Sequence, residues 1–310
     1  MYETIMHSDG FVLGQGSMYE RLRRSEAVVL DQYIFHASLV YEDHSRQVLK
    51  NVFREYLDIG QNYRLPMVAT TPTWRASQER ISLSRFAGMP TNRDSTQLLL
   101  EMRAEYGSNG HPILIGGTSG PKGDGYLPEK APSADDAEKY HRGQILELAD
   151  SGVDFLIAKT LPSSEEAMGI SRCMAETGLP YVLSFVVRRD GTILDGTPLY
   201  EAIDHIDNET RLPPANYNVN CVHASVFAAA MTVTQSRNPE AADRITGLDA
   251  NTSAKAPEEL DGLAELDTEV PADFGANLWP LNSAYGTAYL GGCCGTSTEH
   301  IEALARRATS

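Results

Sequence analysis

Three of the four cysteines are placed where they could act together on one metal ion. Cys221 ends the segment NYNVNC, and Cys293 and Cys294 end the segment AYLGGCC. Neighbouring cysteines do not pair with each other without strain, and clustered thiols in an intracellular chain indicate metal binding or catalysis before a disulfide framework. Cys173 stands alone in a helical pattern, so we expect it to be a small buried side chain.

Three cysteine ligands predict a catalytic zinc site. Zinc with three protein ligands keeps its fourth tetrahedral position open, whereas structural zinc sites are closed. Gly291, Gly292 and Gly295 flank the cysteine pair, and we expect them to let the backbone bend so that both sulfur atoms face one centre. The sequence therefore predicts Zn²⁺ as the cofactor.

The elements that must position these thiols repeat along the chain. Short β-branched segments alternate with helical patterns, which predicts a parallel sheet, and eight such units predict a single (β/α)₈ (TIM) barrel domain over residues 1–310. All strands of such a barrel end at one face, so the ends of strands six and eight should bring the three cysteines together. The predicted strands are 12–14, 66–70, 113–117, 155–159, 181–187, 217–222, 245–248 and 288–292.

Helix ends and glycine-rich turns refine this α/β assignment. Helices are predicted over 137–151 and 165–177, with Ser133 and Ser163 as N-caps and Gly152 and Gly178 after the last turns. An open doubly wound sheet is the alternative fold. It would need a phosphate-binding turn, but LGQGSMYERL (13–22) lacks the third glycine and IGGTSGPKGDG (115–125) lacks the G-K-[ST] ending.

Composition and charge restrict the partners. The 310 residues are 42% hydrophobic and 22% charged, as in a globular protein with a core. A formal net charge of −16 disfavours nucleic acid and anionic membranes as partners. The apolar run VFAAAMTV is far shorter than the roughly 20 residues of a membrane span, and MYETIMHSDG does not resemble a signal peptide. We expect a cytoplasmic protein with small-molecule partners, and a homo-oligomer is compatible with the sequence.

At this point the sequence resembles the homocysteine S-methyltransferase family. The resemblance rests on GGCCGTSTEHIEALA at 291–305 and NVNC at 218–221. SGPKGDG, GVDFLIAKTLPSSEEA and an SF strand followed by DGT are similar to the family's sequence in the same order, over most of the chain. The resemblance implies a zinc-dependent barrel with Cys221, Cys293 and Cys294 as ligands. It also implies transfer of a methyl group from a sulfonium or quaternary ammonium donor to a zinc-bound thiol.

The predicted ligand set agrees with this reaction. Three thiolates on a dication make an electron-rich site, where a bound thiol stays nucleophilic enough to take a methyl group. A histidine-rich site would acidify water for hydrolysis instead. Two alternatives remain, a zinc barrel with lyase or hydrolase chemistry and a thiol-redox or metal-binding protein.

Two positions depart from the family's pattern and bear on the acceptor. Gln15 stands where the family has an acid after its first strand, and Lys159 precedes Thr160 where the family has Glu before Thr. Those acids hold the ammonium of the amino-acid substrate, so their loss predicts an acceptor other than homocysteine. Lys159 is interpreted as a clamp for an anionic thiol, with Thr160 and Asn220 beside it.

Aromatic and histidine side chains complete the candidates. Trp74, after the second strand, could line an onium donor by cation–π contact. His223 is either a partner of the metal ligands or the start of the next helix. Tyr217, Trp279 and Tyr285 are further candidates for pocket walls.

Overall fold

The protein is described from a computed structural model that covers residues 2–6, 10–107, 110–255, 259 and 267–310. Eight parallel strands close into a barrel in chain order, and β8 pairs back onto β1. The predicted (β/α)₈ barrel is confirmed, and the open doubly wound sheet is wrong. The strands are β1 Val12–Gly14, β2 Met67–Thr70, β3 Ile113–Ser119, β4 Phe155–Leu161, β5 Tyr181–Phe185, β6 Asn216–His223, β7 Ile245–Asn251 and β8 Tyr289–Gly292.

Helices surround the barrel, and in the part of the chain that the structure describes none is long and apolar enough to cross a membrane. Short 3₁₀ turns lie at His36–Val40 and Pro128–Lys130. The helices are α1 Tyr2–Met6, α2 Tyr19–Arg23, α3 Asp43–Asn62, α4 Gln78–Leu83, α5 Thr91–Glu105, α6 Ala134–Asp150, α7 Ser164–Thr177, α8 Leu199–Glu209, α9 Ala224–Arg237, α10 Pro239–Asp243, α11 Pro271–Leu278, α12 Pro280–Tyr285 and α13 Thr298–Ala308.

Several strands extend beyond their predicted ends through buried residues, most of which are polar. The sequence patterns stop at residues 117, 159 and 248, whereas β3, β4 and β7 continue to Ser119, Leu161 and Asn251. Hydrophobic patterning does not detect polar residues that point into a barrel. These additional residues form the upper part of the barrel, where the candidate site lies.

The predicted helix ends are mostly confirmed. The side chain of Ser133 accepts a hydrogen bond from the backbone N–H of Asp136 and caps α6, and Gly178 ends α7 in the left-handed conformation. Ser163 occupies the N-cap position of α7 without a side-chain cap, because Asp195 accepts from the N–H of Ser164 at 2.8 Å.

The lower end of the barrel is closed by apolar side chains and by α1. Tyr2 and Ile5 of this helix pack against inward-facing residues of the strands, and the Tyr2 ring lies 4.9 Å from the ring of Phe155. The Tyr2 hydroxyl donates to the side chain of Asn216. Chemistry at the barrel axis is therefore confined to the upper half.

The glycine-rich segment after β3 is a loop, as expected, and hydrogen bonds with two side chains fix its backbone. The Arg75 guanidinium donates to the carbonyls of Pro121 (2.8 Å) and Gly123 (2.6 Å). Buried Glu166 accepts from the backbone N–H of Lys122 at 2.6 Å. These bonds hold the loop beside the mouth of the barrel.

Candidate metal and substrate site

The three predicted cysteines converge at the upper mouth of the barrel. Their sulfur atoms lie within 4.8 Å of one another, and Cys293 Sγ is 4.0 Å from Cys294 Sγ. The sulfur atoms of Cys221 and Cys293 are in direct contact, as in a disulfide. Cys221 is buried, whereas the other two cysteines are partly exposed to the pocket above them.

Irregular strand ends direct the side chain of Cys221 into the mouth. The pairing of β6 with β7 shifts between Asn220 and Val222, and Cys221 between them has φ +57°. The pairing of β4 with β5 shifts in the same way, and Thr160 there has φ +65°. Bulges re-aim side chains at barrel rims, and left-handed backbone at non-glycine residues is costly and clusters at functional sites. The two residues face each other, with Thr160 Oγ1 4.0 Å from Cys221 Sγ.

The turn after β8 needs its glycine. Gly295 has φ +84°, and a Cβ there would lie 1.9 Å from Thr252 Oγ1. Gly291 and Gly292, which were expected to bend the backbone, lie in the regular strand β8, where small size is what the packing requires. A Cβ on Gly292 would lie 2.5 Å from Thr296 Oγ1. Of the three predicted bends, only the one at Gly295 is present.

Two buried asparagines fix the end of β6, Asn220 by joining it to β4 and Asn251 by joining it to the turn after β8. Asn220 donates to Thr160 Oγ1 (2.9 Å) and Cys221 Sγ (3.2 Å), and its oxygen accepts from the N–H of Thr160 (2.8 Å). Asn251 donates to the carbonyl of Cys221 (2.9 Å) and accepts from the N–H of Cys294 (3.1 Å). Asn251 was not predicted, because nothing in the segment ITGLDAN distinguishes it.

A pocket of about 350 Å³ opens above the thiols. All the predicted substrate residues line it together with the cysteines, namely Gln15, Trp74, Lys159, Thr160, Asn220, Cys221, Cys293 and Cys294. The Gln15 side-chain oxygen accepts from the backbone N–H of Thr70 at 2.9 Å, so this side chain joins β1 to β2.

Aromatic rings form one wall of the pocket. Tyr19 stacks on Phe35 with ring centroids 4.9 Å apart, and Trp74 lies 6.3 Å from Tyr19. The indole N–H of Trp74 donates to the carbonyl of Lys159 at 3.2 Å, which fixes the ring against β4. His36 lies in the same wall, and burial lowers the pKa of His36 to about 4, so its imidazole is neutral near pH 7.

The charged groups at the pocket are paired. Lys159 Nζ lies 2.8 Å from Asp249 Oδ2, and the Tyr289 hydroxyl donates to Asp249 Oδ1 at 2.6 Å. Burial, with a smaller contribution from the Asp249 carboxylate, raises the pKa of Tyr289 well above its usual value, so the hydroxyl stays a donor. Glu20 is paired with Arg23 at 2.8 Å. Asp249 and Tyr289 were both missed, since each lies within an ordinary strand pattern.

Four other sequence candidates lie away from this pocket. His223 caps α9 by accepting from the N–H of Ser225 at 3.1 Å, so it begins the next helix and is not a partner of the metal ligands. The three aromatic candidates for pocket walls are wrong, because they pack between the barrel and its helices. Tyr217 donates to Asp207, Trp279 packs edge-on against Phe11, and Tyr285 packs against Phe227.

The cysteine cluster fits a zinc ion. With a Zn–S distance of about 2.3 Å, two thiolates on one tetrahedral zinc are separated by about 3.8 Å, close to the 4.0 Å between Cys293 and Cys294. The sulfur atoms of Cys221 and Cys293 are in contact and would have to separate when the ion binds. Burial raises the pKa of Cys294 to about 12, so a cation is needed to hold its thiolate. Cys173 is buried away from the cluster and contacts the carbonyl of Glu138, as expected for a structural side chain.

Comparisons with known proteins find relatives among the homocysteine S-methyltransferases. A family model described as homocysteine S-methyltransferase matches residues 12–308. The chain is 23% identical over 332 residues to homocysteine S-methyltransferase YbgG of Bacillus subtilis, covering 99% of this chain and 98% of that protein. It is 23% identical over 318 residues to betaine–homocysteine S-methyltransferase 1 of Bos taurus, covering 97% of this chain and 72% of that protein. The metallated form of the homocysteine methyltransferase MmuM from Escherichia coli shares the fold, with a TM-score of 0.75, 19% identity and 97% coverage of both chains.

Proposed function

Because the chain belongs to the homocysteine S-methyltransferase family, we propose that it moves a methyl group from a sulfonium or quaternary ammonium donor to a small thiol. Cys221, Cys293 and Cys294 hold the zinc ion that this reaction needs. The observation that carries the proposal is the convergence of three thiols within 4.8 Å at the mouth of the barrel, beneath a pocket of about 350 Å³.

Zinc, when bound, favours the thiolate form of an incoming thiol and holds it in position for attack. In the transfer, a new S–CH₃ bond forms while the bond between the methyl carbon and the donor's sulfur or nitrogen breaks. The bonding electron pair stays on the donor atom, which leaves as a neutral sulfide or amine. The proton of the acceptor thiol passes to solvent, so neither oxidant nor reductant is needed.

The aromatic wall of the pocket suits a cationic donor. Trp74 and Tyr19 present ring surfaces, and a desolvated onium cation over such a ring gains about 2 kcal/mol. The hydrogen bond from Trp74 to the carbonyl of Lys159 fixes the ring orientation before the donor binds. These residues bind and orient the donor and keep water from the methyl group.

The acceptor is a thiol other than homocysteine. Among the described residues that line the pocket, Glu20 is the one with a carboxylate, and it forms ion pairs with Arg23 and Arg24. Lys159 adds a cation on the floor of the pocket. The α-ammonium of homocysteine would therefore meet the positive charge of Lys159, and the one lining carboxylate is already held in ion pairs. Both effects lower the affinity of the pocket for homocysteine.

A thiol-redox or metal-binding protein is the second candidate, since the three thiols lie within 4.8 Å of one another. Zinc-dependent lyase or hydrolase chemistry is less well supported, because the lining carboxylate of Glu20 is held in ion pairs and is poorly suited to act as a general base.

Zinc content and methyl transfer test the proposal together. Protein purified under reducing conditions should carry about one zinc per chain and methylate at least one thiol from S-methylmethionine or glycine betaine. Cys221→Ser should lose both properties, whereas Cys173→Ser should keep both. Full zinc content in the Cys221→Ser variant would disprove the metal site, and turnover that survives zinc removal would favour the redox alternative.

A further inference from the structure

A lysine, an aspartate and a tyrosine form a buried chain below the thiols. Asp249 Oδ2 forms an ion pair with Lys159 Nζ at 2.8 Å, and Asp249 Oδ1 accepts a hydrogen bond from the Tyr289 hydroxyl at 2.6 Å. The side chains of Lys159 and Asp249 are 14% and 3% exposed, so the lysine alone reaches the pocket. Taking two charges out of water is costly, and such pairs often contribute little to stability. The arrangement therefore calls for an explanation beyond packing.

The strand register locates this chain relative to the cysteines. Asp249 pairs with Asn220 on β6 and with Gly291 on β8. These two residues precede Cys221 by one position and Cys293 by two positions. At about 3.3 Å per residue, the backbone of Asp249 is therefore displaced by about 7 Å or less along the strands from the backbone of Cys221 and Cys293. A thiol of two or three carbons can span that distance.

Glycines leave room for the two acidic groups of this chain. A Cβ on Gly14 would lie 2.5 Å from the Tyr289 hydroxyl oxygen, and a Cβ on Gly291 would lie 2.6 Å from Asp249 Oδ1. Side chains at either position would displace the tyrosine or the aspartate. The backbone of β1 and β8 is thus fitted around the carboxylate that holds Lys159.

The charged group at the floor of the pocket is the ammonium of Lys159. Asp249 is buried behind Lys159 and also accepts from Tyr289, whereas the lysine ammonium has three N–H donors and lines the pocket. One carboxylate oxygen cannot use all three donors. The remaining donors are available to a ligand in the pocket that Lys159 shares with the three cysteines.

We infer that Lys159, held by Asp249, binds the anionic group of the acceptor, which is a small thiol acid without an α-ammonium group. The inference rests on the proposed function and names the acceptor class of that same site. A carboxylate or a sulfonate two or three carbons from the sulfur satisfies the charge and the spacing. Lys159 is then a specificity-determining residue, and Asp249 is the positioning residue behind it.

Equilibrium binding tests this assignment independently of methyl transfer. Calorimetric titration of the zinc-loaded protein compares 3-mercaptopropionate and 2-mercaptoethanesulfonate with the neutral 3-mercaptopropionamide and the cationic cysteamine. The wild type should bind at least one of the two anions about tenfold or more tighter than the amide, and cysteamine should bind most weakly. Binding of only one anion identifies the acid group. Equal affinity for the anions and the amide overturns the inference.

Two variants separate recognition from structure. Lys159→Met should bring the anions within about threefold of the amide and improve cysteamine binding, because Asp249 then lacks its cation. Lys159→Met/Asp249→Asn removes both charges and should bind all four thiols similarly, which keeps the test available if the single variant does not fold. Lys139→Met changes a lysine on the outer face of α6 that is 77% exposed and should retain the wild-type preference. An unchanged anion preference in the double variant overturns the inference.

Methyl transfer to the same thiols distinguishes a failure of the proposed function from a failure of the acceptor assignment. If charge preference is present in binding but no thiol is methylated by either donor, the proposed function fails and the anion site stands. If thiols are methylated without regard to charge, the acceptor assignment fails and the methyltransferase proposal stands.

Discussion

Replacement of Asn251 by alanine should weaken zinc binding more than any other change outside the cysteines. This side chain is buried and joins the two ligand-bearing segments. It donates to the carbonyl of Cys221 at 2.9 Å and accepts from the N–H of Cys294 at 3.1 Å. Without it, the end of β6 and the turn after β8 lose their direct link, while the three thiols themselves remain.

The magnitude follows from those two bonds. Each contributes about 1 kcal/mol net, and each leaves a backbone group without its partner when it is removed. The free energy of unfolding should therefore fall by about 2 to 4 kcal/mol. Since the bonds fix the ligands relative to one another, we expect a 10- to 100-fold loss of zinc affinity, the range observed for residues that orient metal ligands.

Zinc affinity is measured by competition with a chromophoric chelator, and stability by urea unfolding of the metal-free protein. Asn208→Ala is the matched control, because Asn208 makes an exposed hydrogen bond to Asp204 at the end of α8. The Asn208→Ala variant should match the wild type in both measurements. The reasoning is refuted if Asn251→Ala loses stability but keeps the wild-type zinc affinity, because the residue would then be structural only.

Three further predictions concern the pocket and the barrel. Trp74→Ala should raise the KM for the onium donor about 30-fold, which corresponds to about 2 kcal/mol, with a smaller effect in Trp74→Phe. Steady-state kinetics measures the change, and equal KM values in all three proteins would contradict the cation–π role. Between about pH 7 and about pH 4.5, His36 binds a proton in the unfolded chain but stays neutral in the folded chain, so the free energy of unfolding should fall by about 2 kcal/mol. Urea unfolding of His36→Asn should lack this pH-dependent component. If the variant has the same pH dependence as the wild type, His36 is not its source. Gly14→Ala should cost about 1 to 3 kcal/mol in the same assay, because its Cβ would lie 2.5 Å from the Tyr289 hydroxyl oxygen, whereas wild-type stability would show that the tyrosine can move.

The sequence predicted the barrel and the cysteine cluster because both depend on local features. Strand and helix patterns alternate along the chain, and strand ends of a parallel barrel share one face. Tyr217 was one of the candidates for a pocket wall, and a regular strand would place it on the same face as Cys221, four residues later. The bulge between Asn220 and Val222 changes this, so that Cys221 joins the inward face while Tyr217 stays outside. A bulge of this kind has no signal in the residues themselves.

The ion pair of Lys159 shows a second limit of prediction from the sequence. The lysine could be recognised as unusual from its place after a strand, but its partner is 90 residues away in the chain, in a strand with an ordinary pattern. Only the closed barrel brings β4 and β7 to opposite sides of one cavity. Charge at the pocket floor therefore depends on contacts across the barrel, which spacing along the chain does not encode.

The separation of the cysteines in the chain also has a consequence for how the protein is made. Cys293 follows Cys221 by 72 residues, so at about 5 to 20 residues per second the ribosome needs about 4 to 14 seconds to supply the second sulfur. During that interval β8 is also missing, and the carbonyl of Gln15 lacks the N–H of Gly292 that it accepts in the closed barrel. Metal loading at the proposed zinc site would therefore be a late event in biosynthesis, and a nascent chain that stalls before β8 would hold Cys221 without its two partner thiols.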